Sequence, residues 1–135
     1  MRIMVYMALH NGNSPVRKQD IARTEGMSEH YVEQLLMKLK TAGFVRSIRG
    51  KKGGFALDRD PEKTTVYDVL KVTEGPVALA PCFAHPCPRI AICTTRSIWK
   101  KASDALNKVF SETTVADLAE EARRQKGSKS LMFEI

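Results

Sequence analysis

Residues 28–57 read SEHYVEQLLMKLKTAGFVRSIRGKKGGFAL, a stretch whose pattern changes from helical to extended. Ser28 stands where a helix N-cap is expected. Gly43 suits the position just after the helix, because glycine adopts a positive φ at little steric cost. Between them, four apolar residues recur at the i, i+3, i+4 and i+7 spacing of one helix face: Val32, Leu35, Leu36 and Leu39. The first half of the stretch therefore predicts one amphipathic helix.

A β-hairpin is predicted for the second half of the stretch. Phe44–Arg49 and Phe55–Leu57 are short strand candidates, and the glycines between them permit a tight turn. No Asp or Glu stands between Gln34 and Leu57. The basic residues of this window are Lys38, Lys40, Arg46, Arg49, Lys51 and Lys52. A helix followed by a basic, glycine-tipped hairpin is typical of a winged helix-turn-helix. The alternative is a solvated helix with a charged hairpin.

Two more helices are predicted upstream. Arg2–Asn11 is an apolar helix candidate with Ile3, Met4, Met7 and Ala8 on one side. Val16–Glu25 is a second candidate, preceded by Ser14 as the N-cap and Pro15 at the N1 position. A short helix, a turn and a second amphipathic helix form a helix-turn-helix unit. The sequence therefore predicts a mainly α fold with a small β-hairpin wing.

Charge and composition narrow the function classes. The 135 residues carry a net charge of +7, which suits a polyanionic partner such as nucleic acid. Residues 1–60 hold 11 Lys and Arg against 6 Asp and Glu, so the basic excess lies with the predicted helix-turn-helix and wing. Arg17 and Lys18 are candidate phosphate contacts or, alternatively, ordinary solvated residues. No apolar run reaches the ~18 residues of a membrane span, and no signal peptide is recognisable. A cytoplasmic location is expected.

Residues 61–135 are expected to form a second region within the same compact domain as residues 1–60. Val66–Glu74 predicts a short helix capped by one of the two threonines before it, and Val115–Arg124 predicts a final helix. The apolar residues at 131–133 either dock or stay disordered.

The longest helix is predicted for Thr95–Ser111. Ile98, Ala102, Ala105 and Val109 follow one another in steps of 4, 3 and 4 residues, which resembles a coiled-coil seam. This pattern predicts a dimerisation helix. The alternative is a helix buried in the core of its own chain.

Three cysteines lie in a proline-rich loop, residues 76–94, with the spacing C-x4-C-x5-C: Cys82, Cys87 and Cys93. An odd number of closely spaced cysteines argues against a disulfide framework. Three thiolates on one irregular loop suit an iron–sulfur cluster, with zinc or three unligated buried cysteines as alternatives. His85 lies so close between two cysteines that its ligation would strain the loop. No base and orienting group accompany these thiols, so an enzyme is not predicted.

Six short motifs are distributed over nearly the whole chain: YVEQLL at 31–36, GFV at 43–45, RGKKGGFAL at 49–57, VYDV at 66–69, EG at 74–75 and TVADL at 114–118. With the three-cysteine loop and the long helix, they resemble the Rrf2 (Rrf-two) family of bacterial transcription regulators, which includes the IscR and NsrR branches. The combination of motifs is specific, whereas a helix-turn-helix alone would not be.

The resemblance implies a homodimer with crossed long helices that binds a palindromic DNA site. It implies a 2Fe–2S or 4Fe–4S cluster on the three cysteines, whose state alters DNA affinity. His30, Glu33 and Gln34 match the family's base-contacting positions, and Arg49 matches a wing arginine that enters the minor groove. The IscR branch has a histidine ligand where this chain has Arg96. The NsrR branch takes an acidic ligand from the first turns of its chain.

The start of the chain also differs from an ordinary helix start. Met1–Leu9 has no N-cap candidate, no polar first turn and no acidic residue. We expect the natural product to be longer. We also expect the 135-residue form to dimerise but to hold its cluster loosely and lose it in air.

The sequence therefore predicts a dimeric winged-helix transcription regulator, a repressor, that senses iron–sulfur status, nitric oxide or redox stress. The cluster is expected to be absent from an aerobically prepared sample. The alternatives are a cluster-free relative that senses a small molecule or a partner protein, and a zinc-stabilised interaction module. The predicted DNA-binding residues are Arg17, Lys18, Ser28, Glu29, His30, Glu33, Gln34, Lys38, Arg49, Lys51 and Lys52.

Overall fold

The structure, a computed structural model, describes residues 1–12 and 14–132, with side chains through residue 127. In chain order the elements are α1 (Arg2–Leu9), α2 (Lys18–Glu25), α3 (Glu29–Thr41), β1 (Val45–Ile48), β2 (Gly54–Leu57), α4 (Val66–Thr73), a 3₁₀ turn (Pro81–Phe83), α5 (Arg96–Glu112) and α6 (Val115–Met132). The predicted mainly helical fold with one antiparallel hairpin is confirmed. Among the described helices, none has the length and apolarity needed to cross a membrane.

Both ends of α3 form as the sequence predicts. The Ser28 hydroxyl accepts a hydrogen bond from the Tyr31 backbone N–H at 3.2 Å, which satisfies one of the free donors of the first turn. At the other end, Gly43 has a φ of +73°, and the Phe44 N–H donates to the Leu39 carbonyl at 2.9 Å. This bond satisfies a carbonyl of the last turn and turns the chain towards β1.

One hydrophobic core joins α1, α2, α3, β1, α4 and α6. Its largest fully buried side chains are Met4, Met7, Ile21, Val32, Leu36, Leu39, Val45, Val69 and Val115. The inward faces predicted for α1 and α3 are therefore confirmed, and residues from both halves of the chain share this core. In contrast, α5 adds no side chain to the core, and Ser103 is its single buried residue. Among the described elements, α4 is the main packing partner of α5.

The predicted start of the second helix is wrong. Val16 forms an antiparallel bridge with Phe55 of β2, in which each backbone N–H donates to the other carbonyl at 2.8 Å. This bridge keeps the chain extended through Arg17, whose φ is −85° and ψ 144°. As a result α2 begins at Lys18 and has no side-chain cap, so Ser14 does not serve as its N-cap.

The starts of α4 and α6 are connected to each other. Thr65 and Thr114 each cap their helix, and each exchanges hydrogen bonds with an aspartate three residues later, Asp68 or Asp117. Asp117 accepts hydrogen bonds from the backbone N–H and the hydroxyl of Thr114. Both lower the pKa of the Asp117 carboxyl, and the bond from the backbone N–H has the larger effect. An isolated bridge joins the two threonines, so the two helix starts are fixed to each other.

The helices at the two chain ends differ in length from the prediction, the first by two residues and the last by eight. α1 ends at Leu9, and its N-cap residue, Met1, makes no side-chain capping hydrogen bond. α6 is longer than predicted and runs to Met132. The two alternatives for residues 131–133, docking or disorder, concern side chains outside the described part of the structure.

Replacing Gly54 with alanine should destabilise the wing. An added Cβ at Gly54 would lie 2.5 Å from the Val16 carbonyl oxygen, and this oxygen is already bonded in the bridge to β2. We expect Gly54→Ala to lower the free energy of unfolding by about 1–3 kcal/mol, measured by urea denaturation. Gly127→Ala is the matched control, because its Cβ meets open space on α6. The control should be unchanged or slightly more stable; equal stability of both variants would contradict the close approach.

Candidate nucleic-acid interface and cysteine loop

The N-terminal half of α3 presents polar side chains to solvent. Glu29, His30, Glu33 and Gln34 are all exposed, because the opposite face of the helix is buried in the core. The Gln34 side-chain N–H donates to Nε2 of His30 at 3.0 Å, one helical turn earlier. The two side chains therefore act as one polar unit. An α-helix presenting such groups has the size and chemistry to read base edges in a DNA major groove.

An ion pair connects α2 to this face of α3. Nζ of Lys18 lies 2.7 Å from Oε2 of Glu33. The hydrogen bond with Glu33 raises the pKa of Lys18, and the same hydrogen bond lowers the pKa of Glu33. Both groups are charged at neutral pH. Since exposed ion pairs are weak, a DNA phosphate can compete with Glu33 for the Lys18 ammonium.

The wing tip carries three positively charged side chains without an acidic partner among the described residues. Arg49, Lys51 and Lys52 are exposed, and none of them pairs with an acid among the described residues. The turn is closed by the Gly53 N–H, which donates to the Gly50 carbonyl at 2.9 Å. This hydrogen bond closes the loop in which Lys51 and Lys52 lie.

Lys38 has a different contact from the one predicted. Its ammonium donates to the Thr73 carbonyl at 3.1 Å, so in this structure it satisfies the C-terminal end of α4. The hydroxyl of Ser28 is likewise used as a helix cap. The DNA roles of these two residues stay predictions.

Two contacts bring the remaining candidates into one continuous surface. The Val16–Phe55 bridge places Arg17 beside the base of the wing, and the Lys18–Glu33 ion pair joins the start of α2 to α3. The result is an exposed polar helix flanked by a basic hairpin. This arrangement defines a winged helix-turn-helix protein.

The cysteine loop lies apart from this surface. All three thiols are free and half-exposed, rather than buried as in one of the alternatives. Sγ of Cys93 lies 3.4 Å from the Thr95 hydroxyl oxygen, and the hydrogen bonds from Thr95 lower the pKa of the Cys93 thiol. Across the described residues, no group of three or more His, Cys, Asp or Glu side chains is placed to hold a metal. Three free thiols on one loop fit an iron–sulfur cluster in their chemistry, but the loop must close to bring them together.

α5 has an apolar stripe that a single chain does not cover. Ile98 is 60% exposed, Trp99 46% and Val109 58%. The structure therefore excludes the alternative in which this helix is simply core. Large exposed apolar residues that share one helix are typical of an interaction surface.

The chain is similar to known proteins in both sequence and fold. The chain matches the family model of Rrf2, described as an iron-dependent transcriptional regulator, over residues 1–121. It is 37% identical to the HTH-type transcriptional regulator CymR of Bacillus subtilis, over 88% of this chain and 83% of that protein. The solved structure of CymR, the global cysteine regulator of B. subtilis, has a TM-score of 0.77 at 36% identity and 89% coverage of both chains. T. potens IscR has a TM-score of 0.75 at 34% identity, covering 90% of this chain and 80% of its own.

These similarities extend over most of the chain and include both its sequence and its fold. The chain belongs to the Rrf2 family of transcription regulators. It is a DNA-binding regulator and not an enzyme, since its relatives are transcriptional regulators.

The sequence did not predict that one group of polar residues lies around a common cavity. Lys71 of α4 and Arg96 and Asn107 of α5 line a common cavity. The available signal was the polar face of α5, where Arg96, Lys100, Ser103 and Asn107 recur at helical spacing. Because α4 and α5 are separated by the cysteine loop, their meeting could not be read from the sequence.

Proposed function

We propose that the chain is a homodimeric repressor that is located in the cytoplasm and binds an inverted-repeat DNA operator. His30, Glu33 and Gln34 contact base edges, while Lys18, Lys51 and Lys52 contact the phosphate backbone. Arg49 enters the minor groove beside the wing. The observation that carries this proposal is the exposed polar half of α3, placed next to a wing tip whose cations have no acidic partner among the described residues.

The uncovered stripe on α5 supports the homodimer. A symmetric dimer would bury Ile98, Trp99 and Val109 against the same residues of a second copy. Two winged heads would then present two α3 helices to DNA. Major-groove half-sites lie roughly 34–36 Å apart on one side of the duplex, so the operator should be an inverted repeat.

We infer that Cys82, Cys87 and Cys93 hold an iron–sulfur cluster. The thiols are free and accessible, the family model is described as iron-dependent, and a regulator named IscR is among the similar structures. When bound, such a cluster would supply a centre that reacts with oxidants and nitric oxide. The chain itself contributes three thiolates from one loop at the start of α5. A fourth ligand is not assigned.

A cluster-free regulator that senses a small molecule or a partner protein is the second candidate. It is favoured by the three thiols being spread over the loop rather than placed around one point. The relative described as a global cysteine regulator also gives it support. Anaerobic purification separates the candidates: iron with acid-labile sulfide supports the cluster, and a metal-free protein supports its rival. Zinc in the protein would support the zinc-stabilised alternative.

The DNA proposal is tested by two substitutions with different expected effects. An operator would first be selected from a random duplex library with the full chain. Gln34→Ala should then weaken operator binding by about 5- to 150-fold and leave random DNA nearly unchanged, because base contacts carry the sequence preference. Lys52→Ala should weaken both DNAs alike and lower the slope of log affinity against log salt by about one. Fluorescence anisotropy at several salt concentrations measures both effects.

The controls account for charge and for the neighbouring histidine. Lys63→Ala removes an exposed lysine from the connector before α4 and should change neither affinity nor salt slope. Because Gln34 contacts His30, the His30→Ala variant shows how much of the loss belongs to the pair. Equal losses on operator and random DNA for Gln34→Ala would contradict the base-reading role of this residue.

A further inference from the structure

A cavity of about 450 Å³ lies between α4, α5 and the cysteine loop. Tyr67 and Lys71 contribute from α4, Arg96 and Asn107 from α5, and Phe83 from the 3₁₀ turn. Pockets of 300–1,000 Å³ are the usual size for small-molecule sites. Nothing in the DNA-binding role described above uses this cavity.

The charges around the cavity favour an anion. Lys71, Arg96 and Lys100 line it together with a single acid, Asp104. Lys100 is already paired with Asp104, at 2.6 Å from Nζ to Oδ2. Lys71 and Arg96 have no ion-pair partner among the described residues. Two cationic groups therefore remain available to a ligand.

Two residues that line the cavity, Arg96 and Asn107, each carry a buried polar atom. Nη1 of Arg96 and Oδ1 of Asn107 are shielded from solvent and have no hydrogen-bond partner among the described residues. Buried polar atoms are nearly always hydrogen-bonded, because leaving one unpaired is costly. Arg96 is held in place by the Phe83 ring, with the guanidinium carbon 4.9 Å from the ring centroid. Both residues therefore have hydrogen-bonding capacity at the cavity wall that the described part of the protein leaves unused.

We propose that this cavity binds a small organic acid that carries a carboxylate and, a few atoms away, a hydroxyl or ammonium group. A carboxylate matches the planar guanidinium of Arg96, which can donate two parallel hydrogen bonds, and Lys71 adds charge at the rim. The hydroxyl or ammonium donates to Oδ1 of Asn107. The apolar wall formed by Phe83 and Val77 favours an organic body over inorganic phosphate.

The cavity lies mostly on a different side of α5 from the proposed dimer contact. Asn107 and Val109 are two residues apart on α5, which is about 200° around the helix axis. Ile98 and Val109 therefore face away from Asn107, while Trp99 lies at the edge between the stripe and the cavity. Phe83 follows Cys82 directly, and the Arg96 N–H donates to the Cys93 carbonyl at 3.3 Å. A bound acid would connect the cysteine loop to α5, so the ligand has a physical route to the regulatory loop.

Isothermal titration calorimetry of the full chain tests the site without DNA or metal, so its result is separate from that of the proposed function. The probes are L-malate, L-glutamate and succinate, with neutral malamide and inorganic phosphate as comparisons. We expect at least one of the two probes with a donor group to bind once per chain, with a dissociation constant below about 1 mM. It should bind more tightly than succinate, malamide or phosphate.

Three variants localise the binding. Arg96→Gln should weaken it about tenfold or more, since it removes a charged hydrogen-bond donor. Asn107→Leu keeps a similar side-chain size but removes the oxygen acceptor, and should weaken binding similarly. Lys101→Gln is the matched control on the same helix, outside the cavity lining, and should bind like the original. Circular dichroism checks that all variants fold. No binding of L-malate or L-glutamate at 1 mM, binding by malamide or phosphate that is equally tight, or unchanged affinity in both cavity variants would overturn the proposal.

Discussion

Replacing any one of Cys82, Cys87 and Cys93 with alanine is expected to abolish the iron–sulfur chromophore. The physical reason is that a cluster iron left without its thiolate is under-ligated, because thiolates are the main protein ligands of such clusters. Each variant should nevertheless fold, since none of the three cysteines belongs to the hydrophobic core. The measurement combines iron, acid-labile sulfide and visible absorbance on anaerobically purified protein, with circular dichroism for the fold.

His85→Ala is the matched control for the cysteine variants. His85 lies on the same loop and is exposed, so its loss perturbs the loop without removing a thiolate. We expect it to keep most of its iron and sulfide. A single-cysteine variant that retains the full complement of both would show that this cysteine is not a ligand. If the original chain itself carries neither iron nor sulfide, the cluster-free regulator replaces the cluster-binding one.

The second large effect is expected at the α5 stripe. Ile98→Glu combined with Val109→Glu should convert a dimer of roughly 30 kDa into a monomer of 15.1 kDa, because two charges per chain would have to be buried in an apolar interface. A monomer loses the advantage of binding two linked half-sites. Operator affinity should therefore fall by roughly 10²- to 10⁴-fold. Light scattering after size-exclusion chromatography measures the mass, and anisotropy measures the affinity.

Ser97→Glu provides the control for introducing glutamate on α5. Ser97 is exposed and lies outside the apolar stripe, so this variant should remain dimeric and keep its operator affinity. If the double variant also stays a dimer, the interface lies elsewhere on the chain. If it becomes a monomer but binds the operator as tightly as before, two linked heads are not needed for recognition.

Local sequence patterns determined most of the helices and their ends. The apolar spacing of α1 and α3 placed Met4, Met7 and Leu36 inside, and these residues are buried. Ser28, the pair of threonines before α4 and the glycine after α3 marked helix ends that the structure confirms, with Thr65 as the threonine that caps α4. Such signals can be read in one dimension, because an N-cap or a helix face depends only on residues a few positions apart.

The contacts within the candidate DNA-binding surface were predicted less completely, because some of them join residues that are far apart in the chain. The residues of α3 and the wing tip follow one another in the chain, so the sequence placed them correctly on one helix and one hairpin. No sequence pattern indicates that Lys18 pairs with Glu33 or that Lys38 reaches the end of α4. These contacts depend on how separate helices are oriented, and long side chains can reach several alternative partners.

Only the tertiary structure decided where elements distant in the chain meet. Val16 pairs with Phe55, and this bridge delays α2 by two residues in spite of a Ser-Pro signal for an earlier start. The cavity beside the cysteine loop likewise exists because α4 and α5 pack on either side of it. A local signal is outweighed when two backbone hydrogen bonds to a distant strand hold the chain extended, and no short window of sequence contains both partners.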